Sequence, residues 1–125
     1  MMTARNEWST EFYETPTGQV PVVEFLLSLD AKTRARFRWS MEQLRVRNRQ
    51  AREPLVKHLV SDLWELREES STNIYRIIYC FYTGRRIVFL YGFQKKSQKT
   101  PRRELEQAQR YYDDFLAHQE RRGTP

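Results

Sequence analysis

One cysteine, Cys80, stands in the 125 residues, so no internal disulfide can staple the chain. The two histidines, His58 and His118, form no zinc-spaced set with it, and a metal site or other cofactor is not expected. Glycine and proline are scarce, 4 and 5 residues, which excludes a collagen-like or low-complexity chain. Long apolar runs are missing too. The longest, Ile74 to Tyr82, is broken by Arg76 and is too short to cross a bilayer. No Gly-rich phosphate loop and no Ser/His/Asp order is present. The N-terminus carries Arg5, Glu7 and Glu11 and lacks the apolar stretch of a signal peptide, so a cytoplasmic protein without membrane contact is expected.

Acid is in deficit as well: 16 Asp and Glu against 22 Lys and Arg leave a charge of +6 and a pI near 9.7. A basic balance favours a polyanionic partner. The excess is concentrated. Arg34, Arg36, Arg38, Arg45, Arg47, Arg49 and Arg52 share a segment whose only acid is Glu42, and Lys95, Lys96, Lys99, Arg102 and Arg103 crowd a second segment. With 39% apolar and 30% charged residues, no repeat and no linker, the chain reads as one globular domain over 1–125. Its core is expected at about 11–116, with 120–125 frayed.

Hydrophobic patterning divides that domain. After an extended stretch at Glu11 to Glu14 and a turn at Thr17-Gly18, Pro21 suits the first position of a short apolar helix. Asp30 is placed to cap a second helix carrying Phe37, Met41 and Leu44 on one face. Leu63 to Glu68, Ile74 to Tyr82 and Arg86 to Gln94 then read as three antiparallel strands. A two-residue turn at Gly84-Arg85 would pair Tyr82 with Ile87, Cys80 with Phe89, Ile78 with Tyr91 and Arg76 with Phe93. Tyr75, Ile77, Tyr79, Phe81, Val88 and Leu90 would then form the face under the helices, leaving the face of Arg76 and Tyr91 partly open. Thr100-Pro101 opens a last helix with Leu105, Ala108, Tyr112 and Phe115 on one side. The expected class is α+β, in two layers.

The residues suited to chemistry lie on that open face. A strand reversal about Ser71-Thr72 sets Arg67 opposite Arg76, and two adjacent guanidiniums suit bidentate contact with one phosphate. The alternative is that each pairs with a neighbouring acid, Glu65 or Glu68. An arginine on an open sheet adds less than about 1 kcal/mol to folding, so loss of Arg76 is expected to leave the fold intact. Tyr91 can pack, stack on a base or move a proton; Phe93 can only pack or stack. Lys95 and Lys96 either form a solvated loop or raise the potential around the arginines. His58, next to Lys57, is the histidine placed to serve as proton shuttle or else to pack, while His118 is incidental.

Three strings, Leu63-Trp64-Glu65-Leu66-Arg67, Tyr75-Arg76 and Phe93-Gln94-Lys95-Lys96-Ser97-Gln98-Lys99-Thr100-Pro101, occur in this order and spacing, and with them the chain resembles the phage-derived branch of the RelE/HigB-like toxins over about Glu11 to Phe115. The resemblance implies a RelE-like fold, with a helical hairpin on one face of an antiparallel sheet plus a C-terminal helix. It implies a metal-independent endoribonuclease that cuts mRNA on the ribosome. It also implies a cognate antitoxin, usually a helix-turn-helix protein through which alone operator DNA is bound. On matched positions it assigns Arg67 and Arg76 to the phosphate, with Lys57 and Tyr91 as further catalytic candidates and Lys95 and Lys96 as RNA-binding ones; the residues themselves add His58 to the catalytic candidates and Lys99 and Phe93 to the RNA-binding ones. Some relatives carry acidic or histidine residues near the end of the last strand. Here the segment reads Tyr91-Gly92-Phe93, which leaves acid and base unassigned. A non-cutting RNA or ribosome binder and a gyrase-directed toxin on the same scaffold are the competing readings.

Overall fold

The computed structural model describes residues 7–96 and 99–123. Helix α1 (Pro21–Leu27) begins on its proline, and α2 (Ala31–Arg47) is capped by Asp30, whose Oδ1 accepts from the Thr33 amide at 2.7 Å. Both starts follow from the local chemistry: the proline has no amide to leave unpaired, and the carboxylate satisfies a free helix donor. A single 3₁₀ turn at Asn48–Gln50 ends the hairpin.

Five strands make one sheet in the order β1-β5-β4-β3-β2. β1 (Ser9–Phe12) runs parallel to β5 (Arg86–Lys95), and Arg86 holds it through Glu11 at 2.7 Å. β2 (Val56–Val60), β3 (Leu63–Ser70), β4 (Asn73–Tyr82) and β5 pair antiparallel. The expected α+β architecture is therefore present, with a wider sheet than the three-stranded meander. Helix α3 (Arg102–Gly123) continues through positions 120–123 of the stretch expected to fray, and 124–125 lie outside the described residues.

The β4–β5 register differs from the expectation at one end. The loop has three residues, Thr83-Gly84-Arg85, with both Gly84 and Arg85 at positive φ, and it pairs Tyr82 with Arg86 and Tyr79 with Phe89. A bulge at Leu90 then shifts the pairing by one residue, restoring Ile78 opposite Tyr91 and Arg76 opposite Phe93. Between turn and bulge every β5 side chain changes face. Ile87 and Phe89 consequently join Tyr75, Ile77 and Tyr79 under the hairpin with Phe37 and Leu44, while Val88 and Leu90 join Ile78 and Cys80 against Ala108 and Phe115 of α3. Both faces of the sheet are thus covered. Gly92 allows α1 its close approach, because a Cβ there would overlap the Phe25 ring.

Candidate functional site

Strands β3 and β4 reverse at Ser71-Thr72, with Ser71 at positive φ, and place Arg67 directly opposite Arg76. Period-two alternation puts Glu65 on the same face as Arg67, and cross-strand pairing adds Lys57 opposite Glu65. This is the α3 side of the sheet, and there α3 and the segment before it cover part of the face. Arg76 is consequently buried, its side chain 3% exposed, and not on an open surface.

Glu65 is the centre of the arrangement. Its carboxylate is 2% exposed and lies 3.3 Å from Arg76 Nε and 3.5 Å from Arg67 Nε, while the Thr100 hydroxyl donates to it at 3.2 Å. The Arg76 Nε contact lacks hydrogen-bond alignment, so the pair is held by charge, with Arg76 Nη1 donating to the Tyr75 carbonyl at 2.9 Å. Burial lowers the Arg76 pKa and the Glu65 charge opposes that shift. The buried Lys95 on β5 is lowered as well, first by desolvation and next by the Arg76 charge. Several cations thus share one deeply placed carboxylate. Arg67 alone of the two arginines reaches solvent, at 26% exposure, with Glu53 3.6 Å from its Nη1.

The remaining candidates separate. Lys57, opposite Glu65 across the strands, is exposed, and so is Lys96, just past the end of β5. Lys99 is exposed and described, whereas Ser97 and Gln98 lie outside the described residues. Phe93 is 5% exposed and stacks on Tyr91 at 5.8 Å between centroids, so it packs and offers no plane to a base. Tyr91 donates to Glu104 Oε1 at 2.7 Å; burial and that carboxylate push its pKa up to about 12. His58 pairs across the strands with Trp64, sits edge-on to its ring at 4.9 Å and contacts the Ser61 carbonyl through Nε2 at 2.7 Å. Trp64 packs on the hairpin side, so His58 points away from the arginines. The structure therefore gathers Arg67, Arg76, Lys57 and Lys95 around Glu65 and leaves His58 outside. Glu65, read from sequence as one of two neighbouring acids, is the residue whose importance that reading missed. Its signal was its position two residues from Arg67 within a strand.

Residues 24–113, well over half of the chain, match the phage-derived Gp49-like protein family. The chain belongs to that family, one of RelE-like toxins in toxin–antitoxin systems. An antitoxin partner follows from that membership. No curated protein matches the chain. Among the described residues no helix is long and apolar enough to cross a membrane.

Proposed function

We propose that this protein is a ribosome-dependent mRNA endoribonuclease, acting in the cytoplasm and restrained by an antitoxin of helix-turn-helix type that also carries any operator binding. The observation that carries this reading is the convergence of Arg67, Arg76, Lys95 and Lys57 on the single buried carboxylate of Glu65. Such a cluster attracts a phosphodiester and stabilises the charge that builds on it in the transition state. Arg67 and Lys57, which reach solvent, make the contact. Arg76 and Lys95 supply potential from beneath. Lys96 and Lys99 extend the positive rim along the RNA.

Cleavage also needs a base for the 2′-hydroxyl and an acid for the leaving oxygen. With the phenol of Tyr91 engaged by Glu104 and the ring of His58 averted, the base and acid are unassigned; the exposed carboxylate of Glu53, 3.6 Å from Arg67 Nη1, and the exposed amine of Lys57 are the candidates beside the cluster. The same observation favours a second reading, a protein that occupies a ribosomal site without cutting. Primer extension on translated and untranslated copies of one message separates them. Cuts confined to the translated copy are expected; intact message together with arrested translation supports the non-cutting binder, and intact message with blocked gyrase supports the gyrase-directed toxin.

A further inference from the structure

The outer surface of α2 is built for a partner that the cationic cluster does not explain. Trp39 and Val46 are 62% and 59% exposed, which is costly for a tryptophan on a helix with ample buried surface nearby. At 100° per residue, Ala35, Trp39 and Val46 fall within about 40° of one another and form an apolar seam. Beside the seam a groove of about 570 Å³ is lined by Trp39, Gln43, Pro54, Leu55 and Arg67. Basic residues flank it. Of the charged side chains on α2, the one acid, Glu42, is neutralised by Arg45 at 2.6 Å, while the exposed Arg38 and Arg47 straddle the seam without an ion-pair partner among the described residues.

We infer that this seam and groove receive an amphipathic helix of a protein partner, its apolar side seated over Trp39 and Val46 and its acidic flanks meeting Arg38 and Arg47. A single-stranded RNA would also find an aromatic plane and arginines here. However, Val46, the second exposed anchor of the seam, gives a nucleic acid nothing to stack on. Apolar anchors at i and i+7 with flanking charge of one sign are the pattern a helix reads. Arg67 also lines this groove. Resting on the proposed toxin function, this identifies the partner as the antitoxin.

The probe is the product of the reading frame adjacent to this chain's gene, titrated calorimetrically against wild type, Trp39→Ala, Val46→Glu and the exposed control Leu27→Ala. Both seam positions are more than half exposed, so the variants should melt like wild type. A loss of affinity of thirtyfold or more for the two seam variants, with Leu27→Ala within twofold, is the expected result. Equal binding by all four, or none to wild type, overturns the docking proposal. So does quenching of tryptophan fluorescence by a 12-mer oligouridine that disappears in Trp39→Ala, which would assign the seam to RNA. Growth arrest is read separately: Trp39→Ala should stay toxic yet escape neutralisation, and a folded Trp39→Ala that is harmless overturns the proposal. If wild type itself causes no arrest while the seam variants lose binding, the toxin reading fails and the docking site stands.

Discussion

The two ends of the sheet face under α3 are built on opposite principles. Toward the β4–β5 loop, Ile78, Cys80, Val88 and Leu90 meet Ala108 and Phe115 in an apolar cluster of fully buried side chains. Toward the β3–β4 loop, the same face buries Glu65, Arg76 and Lys95. Apolar burial stabilises at roughly 25 cal/mol per Å², whereas charges removed from water repay their desolvation only in part, even when paired. The first end adds to the hairpin-side core in holding the fold. The second end is stabilising only as a complete set, and its excess of cations over acids leaves it ready for an external anion.

The sharpest way to break that contrast is to remove its centre. Glu65→Ala leaves Arg76 buried without its counter-charge and should destabilise the fold by about 3–5 kcal/mol, measured by urea unfolding. Arg76→Ala should fall in the same range, contrary to the small cost expected for an open-face arginine. The triple variant Glu65→Leu, Arg76→Met and Lys95→Met removes the three buried charges together and should recover most of the loss. Non-recovery would mean that the set is held by more than mutual compensation.

The apolar end has its own weakness, at alkaline pH. Burial pushes the Cys80 thiol up to about 12, and on the hairpin side of the sheet it raises Tyr79 as well. The unfolded chain loses these protons near pH 9 and 10 while the folded chain keeps them, so stability is complete below about pH 9 and falls as pH rises. Cys80 alone should cost roughly 2 kcal/mol by pH 10.5. Cys80→Ala should flatten that part of the profile in urea titrations at pH 8 and 10.5.

The smallest effect on folding belongs to the solvent-facing residues of the charged end. Arg67→Ala breaks ion pairs of 3.5 and 3.6 Å at a partly exposed side chain and should change stability by less than about 1 kcal/mol. His58→Ala should likewise leave both fold and activity nearly unchanged, since its ring faces the other side of the sheet.

These differences also explain what could be read in the chain beforehand. Pro21, Asp30 and the Ser71-Thr72 reversal act through local chemistry, so the hairpin and the opposition of Arg67 and Arg76 were legible. The Leu90 bulge was not, because a three-residue loop and a two-residue one share the same glycine and the same flanking apolar residues. That single residue moved Val88 and Leu90 to the opposite face. Strand β2 escaped notice since an edge strand reading Val-Lys-His-Leu-Val has too little alternation to stand out. The burial of Arg76 depends on where α3 and Thr100 come to rest, a tertiary fact with no local signal.

If the charged end serves RNA and the apolar end serves the fold, Arg67 is where the two can be separated. Cleavage of a translated message in a purified translation system should be followed for wild type and Arg67→Ala, alongside the melting temperature of each. A rate loss on the order of a hundredfold or more is expected, with the melting temperature nearly unchanged. Full cleavage by a folded Arg67→Ala protein would contradict it.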